Sequence, residues 1–150
     1  MFYESRGVGE PLVLIPGFAS GAWSWSWQVD DLAKSFQIIT FDPRGISRSR
    51  IGDDDVVSIS GIAADIGALL DKLTIETAHV LGISFGGFVA QDFALRFPRR
   101  LKRLVLASTS FGGPNHASAK AREWFVTCPA HRSPRAVRSR SSSCQGSRAV

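Results

Sequence analysis

Residues 78–97 read AHVLGISFGGFVAQDFALRF, and the order of residue types in this stretch decides the fold. Residues 78–83 are a short, β-rich apolar run, the composition of a strand. From Phe85 onward apolar residues recur at helical spacing to about Phe97, where Pro98 stops the helix. Between the two stands Gly82-Ile83-Ser84-Phe85-Gly86, a match to G-x-S-x-G. In that pattern the serine occupies a strained strand-to-helix turn, the nucleophile elbow. Small residues two before and two after it let the backbone pass without collision. The helix that follows directs its first N–H groups at developing negative charge. By composition the pattern arises by chance in about one chain of this length in twenty, so the strand before it and the helix after it carry the weight. A phosphate loop needs G-x-x-x-x-G-K-[ST] and a dinucleotide turn needs G-x-G-x-x-G, and neither is present.

Outward from this stretch, strand and helix signals alternate. Residues 12–15 (LVLI) form a fully apolar run closed by Pro16-Gly17, as expected of a strand buried on both faces. Residues 27–35 predict a helix, with Val29, Leu32, Ala33 and Phe36 at helical spacing. QIITF (37–41) reads as a strand ending in Asp42-Pro43-Arg44-Gly45. Residues 59–73 read as an amphipathic helix with Ile59, Ile62, Ile66, Leu69, Leu70 and Leu73 on one face. LKRLVLAS (101–108) is a further strand, and Tyr3 with its neighbours marks the end of an earlier one. Short connections between alternating elements imply an α/β fold, a doubly wound, mostly parallel sheet of about five strands.

The 150 residues allow one domain with one core. The net charge of +5 is unevenly spread: residues 1–111 balance to −1, and residues 112–150 carry +6. The basic character thus belongs to the C-terminal part and gives no sign of a nucleic-acid-binding core. No apolar run reaches the length of a membrane span, and the N-terminus lacks the order of a secretory signal, so a cytoplasmic location is expected. Cys128 and Cys144 have neither disulfide-framework nor metal-site spacing. Residues 126–150 hold five Arg, no acid and many Ser, a composition expected to be disordered.

Two further segments turn the motif into a family resemblance. LVLIPGFASGAWSW (12–25) and FDPRGISRS (41–49), with the elbow, resemble in order and spacing the α/β-hydrolase superfamily, in particular its esterase-like, lactonase-like and non-haem haloperoxidase-like members. The resemblance covers residues 2–111 and extends to about Phe125, where AREWF is similar to the entry of a helical cap. It implies a partial core domain over 1–125 followed by a basic tail over 126–150. It also implies Ser84 as nucleophile, Gly82 and Gly86 as the small residues of the elbow, and an oxyanion hole built by the N–H groups of Phe18 and Phe85. Such donors can contribute about 3 kcal/mol each to the transition state. The substrate implied is a small molecule with an ester-like carbonyl, across carboxylic esters, lactones, amides and peroxy-acid formation. No cofactor or metal is implied, nor a nucleic-acid or membrane partner.

The chain departs from the pattern in places. Pro16 stands where many relatives carry His. Ser47 replaces the second glycine of D-x-R-G-x-G-x-S, placing strain in that turn, and Ile83 replaces a common His before the nucleophile. Asp42 and Arg44 read as structural residues of the turn, with an ion pair or a catalytic acid as the alternatives; Trp23, Trp25 and Trp27 read as rings anchoring the first loop and helix against the sheet edge, with substrate contact as the alternative; and His79 reads as a packed or edge histidine. After Ser84 the acids are Asp92 and Glu123 and the histidines His116 and His131. Asp92 belongs to the helix behind the elbow and points away, while His131 falls in the tail, so no triad acid or base is identified. The expectation is a truncated or frameshifted hydrolase of weak or no activity, with the apolar strand 101–108 left as an aggregation-prone edge. The alternative is a non-catalytic fragment or binding protein using the basic tail.

Overall fold

The computed structural model describes residues 1–52 and 56–111. They form five strands, β1 (Tyr3–Arg6), β2 (Glu10–Ile15), β3 (Phe36–Phe41), β4 (Ala78–Ile83) and β5 (Leu101–Ala107), in the sheet order β1-β3-β2-β4-β5. β1 runs antiparallel to β3, and all other neighbours are parallel. Three helices cover the sheet: α1 (Ser26–Leu32), α2 (Ile59–Lys72) and α3 (Phe85–Arg96). The doubly wound, mostly parallel sheet expected from the alternation of signals is the sheet observed.

The apolar run of β2 shows why both faces must be covered. Successive strand side chains point to opposite faces, so Leu12 and Leu14 join Ile38, Trp25 and the half-buried Val29 and Leu32 of α1. Val13 and Ile15 join Ile39, Phe41 and Val80 against α2 and α3. The larger core lies on this second side, where Ile62, Ile66 and Leu70 of α2 meet Val89 and Phe93 of α3. Burying each such side chain stabilises the fold by about 1.5–3 kcal/mol. Ser58 starts α2 by accepting the Gly61 N–H at 3.0 Å, an N-cap that satisfies one orphan donor.

Several local readings change. The first helix starts earlier than expected, as a 3-10 turn (Ala22–Trp25) leading into α1, and it ends at Leu32. Phe36 therefore opens β3 instead of closing the helix. Of the three tryptophans only Trp25 is buried, while Trp23 and Trp27 are 61% and 88% exposed. The expectation that all three anchor the loop holds for one ring. Ile59 lies at the first residue of α2 and is exposed, because the helix is only then reaching the sheet. Asp42 and Arg44 do not pair with each other: Arg44 grips Asp65 of α2 with Nε and an Nη, at 2.8 and 2.6 Å, and Asp42 is held by Arg48.

The sheet winds in opposite directions from β2, outward to β3 on one side and across to β4 and β5 on the other. The carboxyl ends of β2 and β4 thus flank a switch point, where open α/β sheets form their binding crevice. At the far side β5 pairs with β4 alone among the described residues, and Leu104, Val105 and Leu106 are exposed. Among the described residues this strand forms an outer edge of the sheet. The domain limit at 125, the tail and residues His116, Glu123 and His131 lie outside the described residues.

Candidate active site

At the switch point Ser84 follows the last residue of β4 and caps α3 with φ 53° and ψ −118°. Its side chain is exposed and makes no capping bond. A non-glycine residue in such a conformation costs about 1–3 kcal/mol and persists only where its surroundings enforce it. Here they do. The Ser84 N–H donates to the Ala107 carbonyl at the end of β5, and the Ser84 carbonyl accepts from Gly87 N–H, both at 2.9 Å.

The glycines explain how the chain fits. A Cβ at Gly82 would stand 2.3 Å from the Gly86 carbonyl oxygen and 2.8 Å from the Ala90 Cβ. A Cβ at Gly86 would stand 2.4 Å from the carbonyl oxygens of both Ile15 and Pro16. The first contact lets α3 fold back on β4. The second presses the helix N-terminus against the loop leaving β2. A third close approach, Gly87 against Thr109 at 2.4 Å from a built Cβ, fixes the segment after β5. Gln91 holds that segment by donating to the Ser110 carbonyl at 2.7 Å.

The loop after β2 faces the serine. A Cβ built at Gly17 would lie 3.8 Å from the Ser84 Cβ, an ordinary contact. The rings of Phe18 and Phe85 meet edge to face, with centroids 5.9 Å apart. The structure therefore brings together Gly82, Ser84, Phe85 and Gly86 with Phe18, five residues the sequence singled out from two distant segments. The loop's far end is tied to Asp42, which is fully buried: its Oδ1 accepts the Ala22 N–H at 2.8 Å. Its Oδ2 accepts from Arg48 Nε at 2.9 Å and from the Arg48 N–H at 3.1 Å. Burial alone would raise the Asp42 carboxyl, but the bonds from Arg48 and Ala22 outweigh it and hold the group below its usual range.

Other candidates stand elsewhere. His79 sits near the opposite end of β4, bound to Glu10 at 2.7 Å. Asp92 makes a 2.6 Å ion contact with Arg96 one turn along α3. Ser47 has φ 49°, the conformation that the missing glycine would have adopted freely. Arg48, Gln91 and Thr109 were not singled out by sequence. Arg48 had a signal: in DPRGISR it follows the positive-φ position, where a tight turn swings it back over Asp42.

Comparison with known proteins agrees with this geometry. The alpha/beta hydrolase fold family matches residues 10–128. A candidate carbamate hydrolase (RutD) of Azorhizobium caulinodans is 35% identical over 108 residues, covering 72% of this chain and 40% of that protein. A 2-hydroxy-6-oxononadienedioate/2-hydroxy-6-oxononatrienedioate hydrolase of Paraburkholderia phymatum is 37% identical over 123 residues, covering 75% and 41%. Among solved structures, Est816, described as an N-acyl homoserine lactone degrading enzyme, superposes with a TM-score of 0.75 at 29% identity, over 84% of this chain and 48% of that one. The chain thus spans less than half the length of these relatives. Sheet order, elbow geometry and sequence agree, and the chain belongs to the α/β hydrolase fold family.

Proposed function

We propose that this chain carries the nucleophile and oxyanion hole of a serine hydrolase acting on an ester-like carbonyl of a small molecule. One observation carries the reading: Ser84 is held strained and exposed at the N-terminus of α3, with the Gly17–Phe18 loop across from it. The exposed Ser84 side chain makes no capping bond. It presents the hydroxyl to the crevice.

In the reaction the Ser84 Oγ attacks the carbonyl carbon and gives its proton to a base. The carbonyl oxygen becomes an oxyanion, which the N–H groups of Phe85 and Phe18 receive. The macrodipole of α3, about half a positive charge at its first turn, acts in the same direction. Collapse of the tetrahedral intermediate breaks the bond to the leaving group, which takes the proton. Water then releases the acyl group from Ser84 by the same steps. His79, the one histidine among the described residues, is bound to Glu10 at the other end of β4 and does not serve as that base. A carbamate hydrolase and a lactone-degrading enzyme both bring a carbonyl carbon to attack, and their similarity supports this substrate class.

The test is covalent labelling with a fluorophosphonate, which forms a tetrahedral adduct on an activated serine. The full chain is expected to gain one adduct slowly, in keeping with weak activity, mapped to Ser84 by peptide mass, and Ser84→Ala is expected to lose it. A folded protein that takes no adduct, or equal labelling of the variant, would remove the assignment and favour a non-catalytic role.

A further inference from the structure

We infer that Asp42 is a positioning residue for the oxyanion loop, fixing the backbone that carries Phe18 through the N–H of Ala22. The inference rests on the functional reading above and adds to it the group that sets the hole's geometry.

The loop leaves β2 at Pro16 and ends at Ala22, the first residue of the 3-10 turn. Its near end is fixed by backbone contact, where Pro16 lies against Gly86. Within it the Ser20 N–H reaches the Gly17 carbonyl at 3.3 Å, and the Ser20 hydroxyl reaches the Phe18 carbonyl at 3.4 Å. Ala19 adopts φ 55°, a conformation that a non-glycine residue keeps only where its surroundings enforce it. The first N–H groups of a helical turn have no partner within it, and a capping side chain normally takes one. Gly21 occupies the capping position and has no side chain to offer. Asp42, twenty residues later, supplies the acceptor instead.

The close approach is specific. A Cβ at Gly21 would stand 2.4 Å from the Asp42 Oδ1, so glycine at 21 is what admits the carboxylate. Arg48 reaches Oδ2 through Nε at 2.9 Å and its backbone N–H at 3.1 Å, and its Nη2 reaches Oδ1 at 3.5 Å. Oδ1 takes its shorter bond, 2.8 Å, from the Ala22 N–H. Arg48 itself faces outward, stacked 3.5 Å above the Phe2 ring and paired with Glu4. It keeps Asp42 charged while Oδ1 holds Ala22. Reactivity is sensitive to such placement, since a misplacement of about 1 Å can lower a rate by about a hundredfold.

The experiment compares Asp42→Ala with Arg44→Met in the full chain, following fluorophosphonate inactivation, thermal melting and amide hydrogen exchange. Both variants are expected to melt lower. Asp42→Ala is expected to cut the maximal inactivation rate about tenfold at unchanged probe affinity. Arg44→Met, which gives up the grip on Asp65 and leaves the bond from Ala22 to Asp42 in place, is expected to stay within about twofold. Loss of rate in both variants in proportion to melting temperature means a structural role only, and overturns the inference. If the unaltered chain takes no adduct, the Ser84 assignment fails by itself, and exchange decides the role of Asp42. Faster exchange over residues 17–22 in Asp42→Ala but not in Arg44→Met upholds it, and equal exchange in both overturns it.

Discussion

Replacing Ser84 with glycine should make the protein more stable than replacing it with alanine, the reverse of the usual order in helical segments. Ser84 sits at φ 53° and ψ −118°, where any Cβ is strained by about 1–3 kcal/mol. Glycine relieves that strain but gives the unfolded chain more freedom, at a cost of about 0.4–1 kcal/mol. Alanine keeps the strain, and because the Ser84 side chain makes no capping bond, its loss takes away little else. The difference is a net advantage of about 1 kcal/mol for glycine, strain relief less chain entropy. For a domain of this size, that raises the melting temperature by about 3–4 °C over the alanine variant. Paired thermal melts followed by circular dichroism, with urea titrations to confirm the midpoints, measure it directly. Should Ser84→Gly prove less stable than Ser84→Ala, Ser84 is unstrained in solution and the elbow geometry does not hold.

Two further outcomes follow from the same close packing and from the charges at the amino ends of the strands. Gly82→Ala forces a methyl to within 2.3 Å of backbone oxygen, whereas Gly67→Ala in α2 meets only the Phe97 ring, at 3.4–3.6 Å. The first is expected to destabilise by about 3 kcal/mol, and the second to be neutral or to stabilise by up to about 1 kcal/mol; equal melting temperatures would contradict the tight elbow. Glu10 is held at about 2, below its ordinary 4.5, by hydrogen bonds from Lys102 and His79 and by the Lys102 charge. Because the unfolded state takes up this proton first, Glu10 contributes stability above about pH 4.5 that is lost as the pH falls towards 2. Glu10→Gln should flatten the acid limb of a denaturation profile between those values, and an unchanged limb would mean that the clasp is absent in solution.

The elbow was legible because its constraints are local. Glycines at 82 and 86 and the change of period from two to nearly four residues fix strand, turn and helix within about twenty positions. Expectation and structure agree on β4 from Ala78 to Ile83. The first helix was harder to read. Val29, Leu32, Ala33 and Phe36 fit helical spacing, yet Phe36 belongs to β3, because a short apolar run satisfies either period until the tertiary partners choose. The tryptophan run shows the same limit: alternate positions on a helical turn face different ways, so Trp25 alone reaches the core. Of the pairings across space, only that of Arg48 with Asp42 left a trace in the sequence, at the positive-φ turn. Asp42 finds Arg48 and Ala22, and Arg44 finds Asp65, because the turn after β3 sets where each chain points.

Glu10, His79 and Lys102 gather at the amino ends of three neighbouring strands, whereas Ser84 stands beyond the carboxyl end of one of them. His79 and Ser84 are separated by a strand's length, about 17 Å at 3.3 Å per residue. In water a unit charge acts across that span with only about 0.2 kcal/mol, and physiological salt, with its screening length of about 8 Å, reduces this further. Charge altered at the clasp therefore leaves almost no electrostatic imprint on the serine. The sheet insulates its two rims from each other, so acid tolerance can be redesigned at one rim without retuning the chemistry of the other.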